Sequence, residues 1–337
     1  MANVRKYLKD REKKNNSYSR KIWAHRGRKI LFFLIFIGLM LGAGVGYRFY
    51  LASLSYTDYD VVSISELADL NTANYEPYDE YVLRYSMDGI SCIDKDNRVI
   101  WNQAYEIKNP IFDRSDDYVV IAAQKENKLY IYNKSGPQGS ITTGHPIIDV
   151  SIAGQGVVAV IMADGGTSLI NLYNPLEVDE PDLAKIVTSL EGNGYPLDIS
   201  LSMDGKKMAV SYLNLDSNVM KSSIAFYNFS EVGKSYTEKL VGGFDQYETT
   251  IIPEIEFVNN DTVGVFGDDM LSIYKMNKLP ELVYEEKLEE KVKTIFFSEE
   301  YIGIIFEGNQ GDFLYDLQLY NLKGEKILHK ALYEDYK

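Results

Sequence analysis

The stretch Leu129–Gly136, LYIYNKSG, alternates large apolar or aromatic residues with neighbours of the opposite face and then breaks at a turn. Alternation with period two is the pattern of a strand buried on a sheet face. Four relatives of the phrase follow in the same chain: INLYNPLE (170–177), IAFYNFSE (224–231), LSIYKMNK (271–278) and LQLYNLKG (317–324). Their tyrosines, Tyr132, Tyr173, Tyr227, Tyr274 and Tyr320, hold equivalent places, and Ile93 in GISCIDKDN takes the place before them. The separations are 39, 41, 54, 47 and 46 residues. A repeat of about 40–50 residues made of short strands is the period of a β-propeller blade.

Each unit divides into four strands. In one of them PLDISLS (196–202) reads as the inner strand, MDGK as a hairpin turn, KMAVSYL (207–213) as the second strand, SSIAFYNF (222–229) as the third and YTEKLVGG (236–243) as the outer fourth. Asp-Gly pairs supply the positive φ that tight hairpins demand. Units over 110–146, 147–193, 194–245, 246–288 and 289–333 are complete in this reading. The unit over 81–107 lacks an inner strand. Either Asp58–Ser65 returns to supply it, or the chain is a shortened version of a longer one. The fold class expected is all-β: a β-propeller of about six four-stranded blades, or seven cut short, behind one transmembrane helix.

The formal charge of -14 is unevenly spread. Residues 1–29 hold eleven Lys or Arg against Asp10 and Glu12, so the remainder carries -23. An acidic body of that kind argues against nucleic acid as a partner, because phosphate contact needs a basic face. Between Lys29 and Arg48 lie eighteen uncharged residues, ILFFLIFIGLMLGAGVGY. As a helix they span about 27 Å, close to the roughly 30 Å hydrocarbon core of a bilayer. Crowding of Lys and Arg on the N-terminal flank places that end in the cytoplasm. Trp23 on one side and Tyr47, Phe49 and Tyr50 on the other suit the two interfaces. The length of the apolar run and the poor small-x-small site after it favour an anchor over a cleaved signal. The chain therefore divides into a basic cytoplasmic head (1–29), a transmembrane helix (30–47), a stalk (48–80) and an extracytoplasmic propeller (81–337).

ISLSMDGKKMAVSY (199–212) resembles the WD40-like propeller repeats of the bacterial Tol system, with Met203 where that turn carries proline. The whole layout, a basic head, one span, a stalk, GISCIDKDNRVIWN (89–102) and repeated blades, resembles an uncharacterised domain-of-unknown-function family of Firmicutes. That resemblance implies a bacterial cell-envelope protein with a propeller and brings no known activity.

Within the span Gly38, Gly42 and Gly46 stand four residues apart, a spacing that lets two helix backbones approach and self-associate. The recurring tyrosines are expected to fill the space between sheets rather than to stack sugars. His25, His145 and His329 are far apart, and no Gly-x-Ser-x-Gly elbow, phosphate loop or dinucleotide fingerprint occurs. No cofactor, metal or catalytic residue is expected from these motifs. The acidic groups Asp113, Asp116 and Asp117, Asp164, Asp268 and Asp269, and Glu285, Glu286, Glu289 and Glu290 match no calcium loop and read as solvated turns. Cys92, the single cysteine, reads as a small buried residue. The expectation is a type II single-pass scaffold or sensor that binds an envelope protein or cell-wall glycan without catalysis. The alternative is a propeller enzyme of the quinoprotein dehydrogenase or glycan-processing kind. Only Trp23 and Trp101 are present against a tryptophan per blade in the first, and the Ser-x-Asp-x-Gly-x-Thr-Trp turns of sialidases are missing.

Overall fold

The computed structural model describes residues 31–48, 73–174, 182–189, 192–216, 219–308 and 313–333, together with Trp23, Arg26, Lys29 and Tyr50. Helix α1 is Leu31–Arg48, with mean hydropathy 1.8, long and apolar enough to cross a membrane. Phe49 and Asp58–Ser65 lie outside the described residues. The chain forms two compact units, residues 1–64 and 65–337.

The second unit consists of six four-stranded antiparallel sheets, each a meander of consecutive strands. Sheet 1 is β1 (Ala73–Tyr78), β2 (Tyr81–Ser86), β3 (Gly89–Ile93) and β4 (Val99–Ala104). Sheet 2 is β5 (Pro110–Ser115), β6 (Tyr118–Ala123), β7 (Lys128–Asn133) and β8 (Gly136–Thr142). Sheet 3 is β9 (Ile147–Ile152), β10 (Val158–Asp164), β11 (Thr167–Tyr173) and β12 (Asp182–Ser189). Sheet 4 is β13 (Tyr195–Leu201), β14 (Lys207–Asp216), β15 (Val219–Asn228) and β16 (Leu240–Tyr247). Sheet 5 is β17 (Glu254–Asn259), β18 (Thr262–Phe266), β19 (Met270–Lys275) and β20 (Glu281–Lys287). Sheet 6 is β21 (Val292–Phe297), β22 (Tyr301–Glu307), β23 (Tyr315–Asn321) and β24 (Lys326–Leu332).

Two sequence expectations are corrected. The missing inner strand of the first blade is Ala73–Tyr78, so the propeller begins inside the segment read as stalk (48–80), not at residue 81. Pro77 makes ANYEPY look like a connector, yet proline is tolerated on a strand with an unpaired edge, and β1 pairs on one side only. In sheet 4 the residues expected to open the outer strand, Tyr236–Lys239, do not: two short 3₁₀ turns, Glu231–Ser235 and Thr237–Lys239, flank an extended Tyr236. Ser230 caps the first of them by accepting from Val232 N, and the strand starts at Leu240. The MDGK turn forms as expected, with Gly205 at φ +63°.

Five apolar cores join the six sheets in succession: 1 to 2, 2 to 3, 3 to 4, 4 to 5 and 5 to 6. Each of the five repeated tyrosines lies on the third strand of its sheet and belongs to the core shared with the sheet before it. All five are buried, as the core reading required. At the equivalent place in sheet 1 stands Ile93, on the face that shares no apolar core with another sheet among the described residues. Residues next to the tyrosines point to the following sheet, as Leu271 and Ile273 of β19 do toward sheet 6. Period two thus gives each strand one residue set for each neighbour, and every such face buries several side chains at about 1.5–3 kcal/mol each.

Candidate functional site: the central channel and the uncovered sheet

The first strand of each sheet pairs on one edge and leaves backbone N–H groups on the other. Such groups need acceptors when buried. Side chains one sheet back supply them. Asp113 Oδ2 on β5 accepts from Ile152 N of β9 at 2.7 Å. Ser151 Oγ on β9 accepts from Leu201 N of β13 at 3.0 Å, and the Asp149 carboxyl accepts from Ile199 N. Asp198 Oδ2 and Ser200 Oγ on β13 accept from Ile255 N and Phe257 N of β17 at 2.6 and 2.9 Å. Sheets 2 to 5 are stitched through their inner strands in this way. A buried lysine adds a further link: Lys207 Nζ reaches Asn260 O, Asp261 Oδ1 and Met276 O across the seam between sheets 4 and 5.

The inner strands enclose a channel of about 760 Å³ whose wall includes Glu76, Asp113, Asp149, Asp198, Glu254 and Glu256, with Arg114 its single cation. Burial pushes the Asp113 carboxyl up to about 6, against the pull of the N–H groups of Ile152 and Arg114. Burial also raises Asp149, although Asp198 and the N–H groups of Val150 and Ile199 favour its charged form. Asp198 is raised well above the usual carboxylate range by burial and then by the charge of Asp149. Glu256 is raised likewise by burial and by Asp113, and Glu254 by burial. Among the described residues no three His, Cys, Asp or Glu side chains converge closely enough to hold a metal ion. The channel wall therefore combines a structural stitch with five carboxyls, Asp113, Asp149, Asp198, Glu254 and Glu256, whose burial disfavours their charged form.

The second feature is a face. Among the described residues no apolar core joins sheet 6 to sheet 1, although both reach the channel. On sheet 6 the side chains of Ile302, Ile304, Phe306 and Tyr320 meet sheet 5. Strand alternation and pairing put Phe296, Ile305, Leu317, Leu319 and Leu328 on the opposite face. The Phe296 ring lies across Gly303, where an added Cβ would strike it. Phe296 is 44% and Leu328 40% exposed, whereas Leu271 and Ile273, the counterparts of Leu317 and Leu319 on sheet 5, are 0% exposed. The charges on this face are Lys330, opposite Leu317, Lys293, whose ammonium lies 5.5 Å from the centre of the Tyr315 ring, and Glu307, opposite Tyr315 and paired with Lys291 at 2.8 Å. The free face of sheet 1 differs. It carries Arg84, Ser86 and Ser91 where sheet 2 has Ile121, Ala123 and Tyr130, and it borders a polar recess of about 300 Å³ with Asn102. The same face also carries the apolar row Val82, Ile93 and Val99.

Asp113 is not the solvated turn residue expected but part of β5 and of the channel wall. Glu285 and Glu286 fall within strand β20. Asp116 and Asp117 do occupy a turn, and Asp268 and Asp269 a bend. His145 Nδ1 lies 3.5 Å from Asp164 and His329 Nε2 2.8 Å from Asp316, at separate places. Cys92 is buried, and burial pushes its thiol up, away from reactivity. Gly38, Gly42 and Gly46 share one side of α1, with open space beside each. The sequence reading missed Glu76, Asp149, Asp198, Glu254 and Glu256. A signal was present: Asp-x-Ser recurs in the first strands as DRS (113–115), DVS (149–151) and DIS (198–200), an acid set in an otherwise apolar strand.

Sheets arranged as consecutive four-stranded meanders around a channel define a β-propeller, here with one apolar helix ahead of it. Over residues 52–337 the sequence matches the model of a family of unknown function, DUF5711, and the chain belongs to that family. No curated protein matches it. Among solved structures it is similar to a chain of the complex of KlAtg21 with the coiled-coil of AgAtg16, at TM-score 0.53 and 14% identity over 75% of this chain and 82% of that one. Kuenenia stuttgartiensis hydrazine synthase matches at TM-score 0.52 and 9% identity over 79% of this chain and 80% of that one. The Neurospora crassa Pan2 WD40 domain matches at TM-score 0.48 and 9% identity, covering 69% and 71%. Likeness at such identities concerns the fold alone.

Proposed function

We propose that this chain is a non-catalytic scaffold of the bacterial cell envelope, anchored through α1 with the propeller outside the cytoplasm, and that it docks a partner protein on the uncovered face of sheet 6. The observation that carries the reading is that face. Five equivalent faces in the same domain are each covered by a neighbouring sheet, and this one leaves Phe296 and Leu328 exposed and Leu317 and Leu319 only partly buried among the described residues. Contiguous exposed apolar side chains ringed by polar ones mark interaction sites. The basic head and apolar helix support the anchored topology.

The partner's chemistry follows from charge. Lys293 and Lys330 stand on the face, while its carboxylate, Glu307, is engaged by Lys291 at 2.8 Å, so the free charge on the face is positive. Pairing with the same face of a second copy sets these lysines against their own kind. Pairing with sheet 1 sets them against Arg84. Like charges across an interface cost binding energy. The occupant that fits is a partner presenting an apolar β-sheet surface with acidic side chains. The three glycines of α1 supply a separate contact between anchors, at about 40° steps around the helix.

The test places a photo-crosslinking residue at Leu328 in the full chain, in intact cells. The expected adduct is a protein whose yield falls at least tenfold with Lys293→Glu plus Lys330→Glu and falls with added salt. An adduct only with a second copy, with lipid or with glycan overturns the proposal, as does a yield indifferent to both lysines. For the span, Gly42→Ile is expected to lower the signal of a membrane two-hybrid reporter, and an unchanged signal removes that contact.

A further inference from the structure

We propose that sheets 1 and 6 are the two walls of one slot, and that a single β-sheet of the partner protein fills it as a further blade, packed on both walls at once. The inference rests on the docking at sheet 6 proposed above and adds a second wall to that site. Each of the five seams sets the tyrosine-bearing face of one sheet against the opposite face of the sheet before it. By that rule the two faces left over, that of Ile93 on sheet 1 and that of Leu317 and Leu319 on sheet 6, look toward each other. Both sheets border the same channel, with Glu76 of β1 and Phe296 of β21 on its wall.

Strand register describes the walls. On sheet 1 Tyr75, Arg84, Ser91 and Asn102 form one rung across the four strands, and Pro77, Val82, Ile93 and Val99 form the next. On sheet 6 the apolar rung is Phe296, Gly303, Leu319 and Leu328. Val82 is 40% and Val99 58% exposed, and Phe296 and Leu328 are exposed to a similar degree. Rungs as bare as these show that, among the described residues, the two sheets do not cover each other. A sheet suits the space between them, because alternation gives each of its strands one set of side chains for either wall.

Charge selects the occupant. Lys293 and Lys330 stand on one wall, where Glu307 is engaged by Lys291. Arg84 stands on the other, with Asp88 at the edge of the recess between β2 and β3. A second copy would bring one of these walls, and its cations, into the slot, at a cost in binding energy. A partner sheet with acidic side chains on both faces meets a cation on either side. The inner edge asks for the same residues. β1 pairs on one edge only, and in the seams of sheets 2 to 5 the other edge of the inner strand is served by Asp and Ser oxygens of the strand before it. The occupant lies before sheet 1, so its own inner strand supplies such acceptors to β1.

The experiment extends the crosslinking in intact cells to a second position. One full chain carries the photo-crosslinking residue at Leu328 and another carries it at Val99. Peptide mapping of the two adducts is expected to find the same partner protein, joined through neighbouring segments. Val99→Asp, at an exposed position, is expected to lower the Leu328 adduct about fivefold or more, although it lies on the other wall. Lys293→Glu plus Lys330→Glu is expected to lower the Val99 adduct to a similar extent. Circular dichroism of the purified variants checks that they fold, and the identity of the Val99 adduct needs no variant at all. A Leu328 adduct that persists while Val99 captures nothing overturns the shared slot and leaves the docking at sheet 6 standing. A Val99 adduct with a different protein, a second copy, the same chain, lipid or glycan overturns the slot too, as does a Leu328 yield indifferent to Val99→Asp. Failure of Leu328 to capture any partner overturns both readings.

Discussion

Sheets 5 and 6 are built on nearly the same phrases, TVGVF and LSIYK in one, YIGIIFE and LQLYN in the other. Gly264 and Gly303 hold equivalent places, each lying under a phenylalanine ring. Leu271 and Ile273 of sheet 5 are wholly buried because sheet 6 lies on them, while Leu317 and Leu319 of sheet 6 are only partly buried because no described sheet does. The difference teaches that the face of a blade is specified by its own strand and its burial by its neighbour. On the inner side the same contrast holds: sheets 2 to 5 are stitched by Asp and Ser side chains to backbone N–H groups, and β21 has Thr294 and Phe296 at the places where β17 carries Glu254 and Glu256.

The sharpest way to break this comparison is to place the same charge on both faces. Ile273→Asp buries a carboxylate without a partner and is expected to cost more than about 4 kcal/mol, enough to abolish cooperative unfolding of the domain. Leu319→Asp at the counterpart position is expected to cost less than about 1 kcal/mol while it removes partner docking. Equal losses in urea titrations would show that sheet 6 is covered after all. A smaller effect belongs to the stitched side. Lys207→Ala strands the carbonyl oxygens of Asn260 and Met276 and is expected to cost about 2–3 kcal/mol, less than a fully buried ion pair because Asp261 is half-exposed. Smaller still are the tyrosine hydroxyls. The Tyr274 hydroxyl lies 2.6 Å from that of Tyr247 and 3.1 Å from Gln246 Nε2, so Tyr274→Phe should lower stability by about 1 kcal/mol. The Tyr132 hydroxyl is buried with no hydrogen-bond partner, so Tyr132→Phe should be neutral or stabilising by up to about 1 kcal/mol in the same thermal scan. Ile93→Tyr, which completes the repeat where no preceding sheet exists, should change stability by less than about 0.5 kcal/mol.

Much of the fold is legible in the chain. Sheet pairing here is between consecutive strands, and turn chemistry with period-two alternation encodes it locally, so five of the six units could be divided by reading alone. The first inner strand was not legible, since Glu76 and Pro77 disguise ANYEPY as a connector. Nor was the channel: Asp113, Asp149, Asp198 and Glu256 lie 36, 49 and 58 residues apart, and each alone resembles a solvated acid.

By itself the sequence determined the repeat, the anchor-like helix, the acidic body and the burial of the recurring tyrosines, because each depends on neighbours within a few residues or on composition. Only the tertiary structure decided which carboxyls meet and which face stays bare. Both depend on how six sheets sit around an axis, where residues distant in the chain become partners and, among the described residues, no sheet packs on the far face of sheet 6.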